Sequence, residues 1–381
     1  MIPIAKPYLT KDEAQSAYDV VLSGWVTQGP KVEEFEKKFC EYTGAEYSVA
    51  TSNGTTALHL ALIVAGIKQG DEVICPSMSY IATANCIRYI SAKPVFADVK
   101  PVTYNIDIKD AERKITEKTK AIMIVHQIGM PAEIDEFKKL CDKYNLKLIE
   151  DAACATGSAY KGKKIGTHSE LVCFSFHPRK VITTGEGGMI TTNNKAHYDR
   201  LKLLRQHAIS FSSSQRHLSD KISFEEHIET GYNYRMTDIQ ASIGIKQLEK
   251  LDWIIEERRK IALRYLNELK DIKEISLPTE EKDFFSNYQS FCIYINKSSP
   301  ISRNELMQKL LEAGISTRRG VMTSHREKAY SENYSNTVLP VSEDISDNSI
   351  IIPLYVPMNE EDVSRVIENL RKYLKYGIVK E

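Results

Sequence analysis

Three stretches set reactive or ligand-seating residue types directly behind apolar runs. In "LVCFSFHPRKVITTGEGG", Ser175 and His177 bracket the end of such a run, Lys180 follows, and a turn through Gly185, Gly187 and Gly188 comes next. A loop lysine is ordinarily solvated, but an amine that is buried or set beside positive charge releases its proton more readily and becomes a nucleophile. Glycines nearby allow a backbone to approach a ligand closely. Arg179 reads as the solvated neighbour. In "LKLIEDAACATG", Glu150 and Asp151 close a second apolar run; a carboxylate there either caps a helix or stays ionised beside a cation. In "TSNGTTALHL", Asn53, Gly54, Thr55 and Thr56 precede an apolar helical pattern. That pattern is either ordinary capping or a phosphate seat, built from free N–H groups and hydroxyls at the positive end of a helix.

Combined, the three describe one ligand carrying a phosphate, a protonated ring nitrogen and a carbonyl. Pyridoxal 5′-phosphate has all three, and its aldehyde condenses with lysine. Tyr80, in "PSMSYIATAN", offers an aromatic face for its ring.

The elements that position these groups follow from the apolar pattern. Short β-branched runs ("DEVICPS", "KPVFADV", "KAIMIVH", "LKLIEDA", "LVCFSF", "GGMITT") alternate with segments of helical period. That alternation predicts an α/β layer fold, and apolar runs without clean alternation predict parallel strands covered on both faces. "KVEEFEKKFCEYTG" puts Val32, Phe35 and Phe39 on one helical face and stops at Gly44; "IDEFKKLCDKYN" does the same with Phe137, Leu140, Cys141 and Tyr144. Beyond residue 235 a long helical pattern, one helix or two, leads to "SFCIYIN", "SRNELMQKLLEAGI" and "NEEDVSRVIENLRKYLKYG". These predict a large domain over 1–250, N-terminal segment included, and a smaller α+β domain over 251–381. The polar stretch 207–227 reads as a long loop, of a length that is either a functional lid or disordered.

Bulk properties narrow the function classes. Lys plus Arg and Asp plus Glu number 51 each, so no overall field favours nucleic acid or an anionic membrane. Seven cysteines lie scattered, never as CxxC, which predicts reduced, buried thiols in a cytoplasmic protein and no metal centre. The first residues carry no secretion-signal pattern, and no run reaches the roughly 18 apolar residues that span a bilayer.

The blocks "LSGWVTQGPKVEEFE", "SNGTTALHLAL", "PSMSYIATAN", "EDAACATGSAYKGKKIG", "SFHPRKVITTGEGG", "GYNYRMTDIQASIG" and "IPLY", in this order along nearly the whole chain, resemble the DegT/DnrJ/EryC1/StrS family of nucleotide-sugar aminotransferases. The resemblance implies the type I fold of pyridoxal-phosphate enzymes: a large domain with a mixed, mostly parallel sheet flanked by helices, and a small α+β domain. By position it implies that Lys180 condenses with the cofactor and shuttles the proton. Asp151 binds the pyridinium nitrogen, while Gly54, Thr55 and Ser175 hold the phosphate. Tyr80 stacks on the ring, and Asn233 reaches the phosphate bound by the other subunit of a homodimer. His177 is implied to be structural. Many relatives have glutamine where Cys154 stands, and cysteine is a weaker hydrogen-bonding partner. Relatives with histidine in place of the lysine dehydrate the sugar; Lys180 argues against that branch.

The implied reaction takes an amino group from glutamate, with pyridoxamine 5′-phosphate standing between two half-reactions, and gives it to a keto-6-deoxy sugar on a nucleotide diphosphate. The N-terminal "IAKPYL" and "SGWVTQGP" resemble relatives that aminate C4 more than those that aminate C3, which remains the alternative. The acceptor's charge needs local cations. Arg318, Arg319, His325 and Arg326 in "TRRGVMTSHREK", with Arg216 and His217 over them, are a substrate-binding cluster or else a solvated basic face. Two other classes stand beside this reading. A dinucleotide-dependent oxidoreductase lacks its GxGxxG after the first strand. A non-catalytic cofactor-binding regulator has no recognisable DNA-reading module here.

Overall fold

The computed structural model describes residues 1–210 and 225–376. Its main sheet has seven strands: β1 (Tyr47–Thr51), β2 (Glu72–Pro76), β3 (Lys93–Ala97), β4 (Thr119–Val125), β5 (Lys147–Asp151), β8 (Leu171–Ser175) and β9 (Gly188–Thr192), with the two-residue strands β6 (Ala159–Tyr160) and β7 (Lys163–Lys164) lying outside it. Their spatial order is β1-β9-β8-β5-β4-β2-β3. Parallel pairings join β8, β5, β4, β2 and β3, and β9 runs antiparallel to both of its neighbours. The sheet is mixed and mostly parallel, as expected of the type I fold.

Side chains of these strands alternate between two cores, because successive residues of a strand point to opposite faces. Val172 and Phe174 join Phe35, Phe39 and Phe137 on one face. Leu171 and Cys173 join Leu58, Leu60 and Leu62 of the helix Gly54–Val64 on the other. Covering both faces explains why the runs read as continuously apolar. The helix Pro30–Thr43 ends at Gly44, whose φ of 80° only glycine adopts without strain. Tyr144 departs from its expected buried face: it is exposed, and its hydroxyl donates to Glu112.

The long helical pattern is two helices, Asp238–Glu249 and Leu251–Leu269. The second begins in the first core with Leu251 and Ile254 and ends in a third core with Tyr265 and Leu269. The division expected at residue 250 therefore falls at a helix break, and the helix after it is shared by both cores. The third core lies under a four-stranded antiparallel sheet in the order β10-β12-β14-β13: β10 (Ile275–Ser276), β12 (Phe291–Ile295), β13 (Arg318–Arg319) and β14 (Ser349–Ile352). Between β10 and β12, β11 (Phe284–Phe285) reaches back to pair with β6. The N-terminal segment also crosses over. Ile2 is buried in the third core, its N–H donates to the Gly314 carbonyl at 2.7 Å, and its carbonyl accepts from Ser316.

Candidate active site

The site forms where the carboxyl ends of β2, β5 and β8 meet the start of β9. Gly188 opens β9 opposite Thr51 on one side and Ser175 on the other. A Cβ there would lie 2.4 Å from the Asn53 carbonyl oxygen, so only glycine lets these strand ends close up. The chain leaves β1 through Asn53, whose side chain caps the helix Gly54–Val64 by accepting from Thr56 N–H at 2.9 Å. Both readings of this stretch hold at once. Asn53 takes the Thr56 and Ala57 N–H groups. The Gly54 and Thr55 N–H groups, ahead of them at the positive end, have no partner among the described residues. A Cβ on Gly54 would meet the Ser175 Cβ at 2.8 Å, which brings Gly54, Thr55 and Ser175 together around one open helix end.

Asp151 closes β5 and is buried, on the same face of the sheet as Ile149. No helix follows it, so it is not an N-cap. One carboxylate oxygen accepts from Thr83 Oγ1 at 2.8 Å and the other from Ala153 N–H at 3.1 Å. Ser79 Oγ lies 2.7 Å from Thr83 Oγ1; with Thr83 donating to Asp151, Ser79 donates to Thr83. Burial pushes the Asp151 carboxyl above its ordinary value, against the opposing pull of Thr83, Ala153 and the Lys180 charge. A buried carboxylate with a raised pKa and two neutral donors is short of a cation.

Lys180 reaches this neighbourhood from the turn after β8, and its Nζ donates to Cys154 Sγ at 3.2 Å. Cys154, on the loop after β5, is thus the direct neighbour of the amine. His177 braces the turn: its Nδ1 accepts from Arg179 N–H at 3.2 Å, and burial holds its pKa below the ordinary histidine value.

On the opposite face from Asp151, Glu150 pairs with His126 at 2.8 Å, both side chains fully buried. His126 Nδ1 accepts from Ala132 N–H, so its Nε2 donates to Glu150. Burial is the largest influence and raises the Glu150 carboxyl, but the His126 hydrogen bond and the smaller contributions of His126, His168 and Ser169 together hold the group below its ordinary value. This pair anchors the strand end behind the site.

The remaining expected residues divide. Tyr80 is 64% exposed on the loop after β2 and lies within electrostatic reach of Arg318. Arg318 forms no ion pair among the described residues. Burial and its neighbours Arg179 and Arg319 all lower its pKa. Arg319 and Arg326 are engaged instead with Glu327 and Asp347. His325 is corrected by the structure. It is 3% exposed, its Nδ1 lies 2.6 Å from Ser77 Oγ and its Nε2 3.2 Å from Glu343. Nδ1 joins the C-terminal module to the loop after β2, Nε2 is engaged within that module, and neither ring nitrogen is free for a substrate. Asn233 is exposed on a segment fastened beside the helix Gly54–Val64: Ser52 N–H donates to the Tyr234 carbonyl, Tyr234 N–H to the Arg205 carbonyl, and the Tyr234 hydroxyl lies 3.0 Å from His59 Nδ1. Arg216 and His217 lie outside the described residues. Sequence reasoning missed Thr83, Ser79 and the Glu150–His126 pair.

The sequence profile of the DegT/DnrJ/EryC1/StrS aminotransferase family matches residues 7–371. The chain belongs to this family. GDP-perosamine synthase of Escherichia coli O157:H7 is 38% identical over 373 residues, covering 98% of each chain. An uncharacterised protein of Methanocaldococcus jannaschii is 38% identical over 97% of each. Among solved structures, a putative sugar aminotransferase of Streptococcus pneumoniae in its PMP form superposes with a TM-score of 0.93 at 28% identity, covering 99% of this chain and 100% of that one. The same protein is also known in a PLP form. PseC of Helicobacter pylori, an aminotransferase of pseudoaminic acid biosynthesis, superposes at 0.91 and 28% identity, over 98% and 99%. The protein is thus a sugar aminotransferase that uses pyridoxal 5′-phosphate.

The residues present fit that cofactor. The open helix end beside Ser175 suits a phosphate, the cation-deficient Asp151 suits a pyridinium, and the Lys180 amine suits the aldehyde. No helix among the described residues is long and apolar enough to cross a membrane.

Proposed function

We propose that this aminotransferase moves the amino group of glutamate to C4 of a keto-6-deoxy sugar carried on a nucleoside diphosphate, as a cytoplasmic homodimer with shared active sites. The carrying observation is the convergence of one amine, one buried carboxylate and one unpartnered helix end at a single edge of the sheet. When bound, the cofactor supplies the aldehyde that receives the amino group and a ring that withdraws electrons from the reacting carbon. The chain does the rest. The Lys180 amine would take the Cα proton of the donor and give it up within the first half-reaction, and in the second would deliver a proton to the sugar carbon, acting as base and acid in each. Asp151 keeps the ring nitrogen protonated. Gly54, Thr55 and Ser175 anchor the phosphate, and Tyr80 covers the ring. Asn233 extends to the partner subunit's cofactor phosphate, which accords with its exposure.

Arg318 is the cation for the sugar's diphosphate, since Arg319 and Arg326 are already paired. The likeness to a GDP-perosamine synthase supports a GDP-linked acceptor. The division near residue 250 sets a large cofactor-binding module against a small C-terminal one. The test is incubation with glutamate and a panel of nucleotide-linked 3-keto and 4-keto 6-deoxyhexoses, following 2-oxoglutarate and the amino sugar. Exclusive use of 3-keto sugars would overturn the C4 assignment; no 2-oxoglutarate with any acceptor would overturn the donor.

A further inference from the structure

One short segment outside the cofactor loops holds both ends of the Lys180–Cys154 contact. The chain enters β12 through Ser286, Asn287, Tyr288, Gln289 and Ser290. Asn287 is completely buried, and its Nδ2 donates to the carbonyls of Cys154 and Thr156, both at 2.9 Å. Two residues on, Gln289 Nε2 donates to the carbonyl of Arg179 at 2.9 Å. Cys154 is the residue whose sulfur meets the amine, and Arg179 immediately precedes Lys180. The same five residues therefore grip the backbone on each side of the reactive contact.

The segment itself is locked. Asn287 N–H donates to Ser158 Oγ at 3.2 Å, and Asn287 Oδ1 accepts from Gln289 N–H at 2.8 Å. Tyr288 has a φ of 46°, a left-handed conformation that a tyrosine rarely adopts without being held there. What holds it is Arg258, buried in the helix Leu251–Leu269. Its Nε and Nη2 donate to the Tyr288 carbonyl at 3.0 and 2.8 Å, and its Nη2 to the Gln289 carbonyl at 2.6 Å. No carboxylate among the described residues pairs with this guanidinium. A buried charge spent wholly on two backbone carbonyls serves to fix a backbone shape.

We propose that Asn287 and Gln289, clamped by Arg258, are the positioning residues that set the Lys180 amine, and that they transmit the placement of the C-terminal sheet to it. The inference rests on the role given to Lys180 above. It explains why a strained residue sits at the entrance of β12: the reversal at Tyr288 leaves both flanking side-chain amides directed at the cofactor loops.

The test uses the full-length protein and four variants. Gln289→Met keeps length and removes the donor; Gln289→Lys restores a donor; Asn287→Asp keeps shape and removes both donations; Arg258→Met releases the clamp. In the cofactor-free protein, amide hydrogen exchange over residues 176–184 is expected to quicken at least tenfold in Gln289→Met, and over 152–158 in Asn287→Asp. In the cofactor-loaded protein, the midpoint pH of the visible absorption band is expected to move, and kcat to fall with KM for glutamate held within about twofold. Gln289→Lys should recover the wild-type midpoint. Should Arg258→Met or Asn287→Asp fail to fold, the half-buried Gln289 pair still decides the matter. Unchanged exchange and an unchanged midpoint in Gln289→Met overturn the proposal. Failure of the wild-type protein to develop a visible band would instead overturn the reading of Lys180, while the exchange measurement continues to judge the strap.

Discussion

Replacing Asp151 by Asn separates the carboxylate's chemistry from its place in the fold. Asn has the same shape. Its amide oxygen can accept from Ala153 N–H, and its Nδ2 can donate to Thr83 Oγ1, because that hydroxyl can turn and donate to Ser79 instead. The local hydrogen bonds survive, so the loss is one charge. Two unit charges about 4 Å apart, at an effective dielectric constant of about 20, attract by about 4 kcal/mol. At roughly 1.4 kcal/mol per decade, this corresponds to a turnover lower by about 10³-fold if the attraction is needed in the transition state. The cofactor-free protein should respond in the opposite direction. Burial raises the Asp151 pKa in the fold, so its contribution to stability is complete below the ordinary carboxylate value and is lost as pH rises through the raised one. The Asn variant has no such loss and should melt higher than wild type at pH 8. The assays are 2-oxoglutarate release at saturating cofactor and melting scans of the cofactor-free chain at pH 5 and pH 8. Turnover within roughly threefold of wild type would refute the electrostatic argument, and a lower melting temperature at pH 8 would show the carboxylate to be structural.

Lys180→Ala should abolish 2-oxoglutarate release without unfolding the protein, because among the described residues the side chain makes one hydrogen bond, to Cys154; turnover comparable to wild type would end the proton-shuttle assignment. Gly54→Ala drives a Cβ to 2.8 Å from the Ser175 Cβ, so cofactor affinity by equilibrium dialysis should fall more than tenfold, with about 1–3 kcal/mol of stability lost to overpacking. His325→Ala strips Ser77 and Glu343 of a buried partner and should cost about 1–3 kcal/mol in denaturant melts, while KM for the nucleotide sugar stays put. A large rise in KM with stability intact would return His325 to the substrate. Arg318→Ala should do the reverse, raising KM for the nucleotide sugar and leaving KM for glutamate and the melting temperature near wild type.

The strand ends that carry Asp151 and Ser175 were readable because a buried parallel strand is an unbroken apolar run, and the polar residue that stops it marks its carboxyl end. The helix end at Gly54 was readable because capping chemistry is local. His325 was misplaced for a physical reason. A histidine among arginines has the composition of an anion site, whereas its partners are Ser77, 248 positions away, and Glu343 on a later helix of the same module. The pairing of Arg319 with Glu327 and of Arg326 with Asp347 was likewise not legible in the sequence. β1 was missed because its five residues run straight into the Asn53 cap. β14 was missed because "SIIIP" stands alone without a turn signal. Nothing local in "SNYQS" announces Asn287 or Gln289, whose roles depend on Arg258 and on three carbonyls more than one hundred positions away.

Ile2 gives the C-terminal module a dependence that its sequence boundaries conceal. A fragment beginning at residue 251 would carry the four-stranded sheet but would lack the peptide that bonds to Gly314 and Ser316, and it would leave Ile315 facing water. Expressed alone, such a fragment should aggregate; supplied with a synthetic copy of the first few residues, it should regain solubility, as in split-protein complementation. The same contact bears on protein engineering. A purification tag fused directly to Met1 competes for room beside Arg365 and Gly314, so a spacer belongs there.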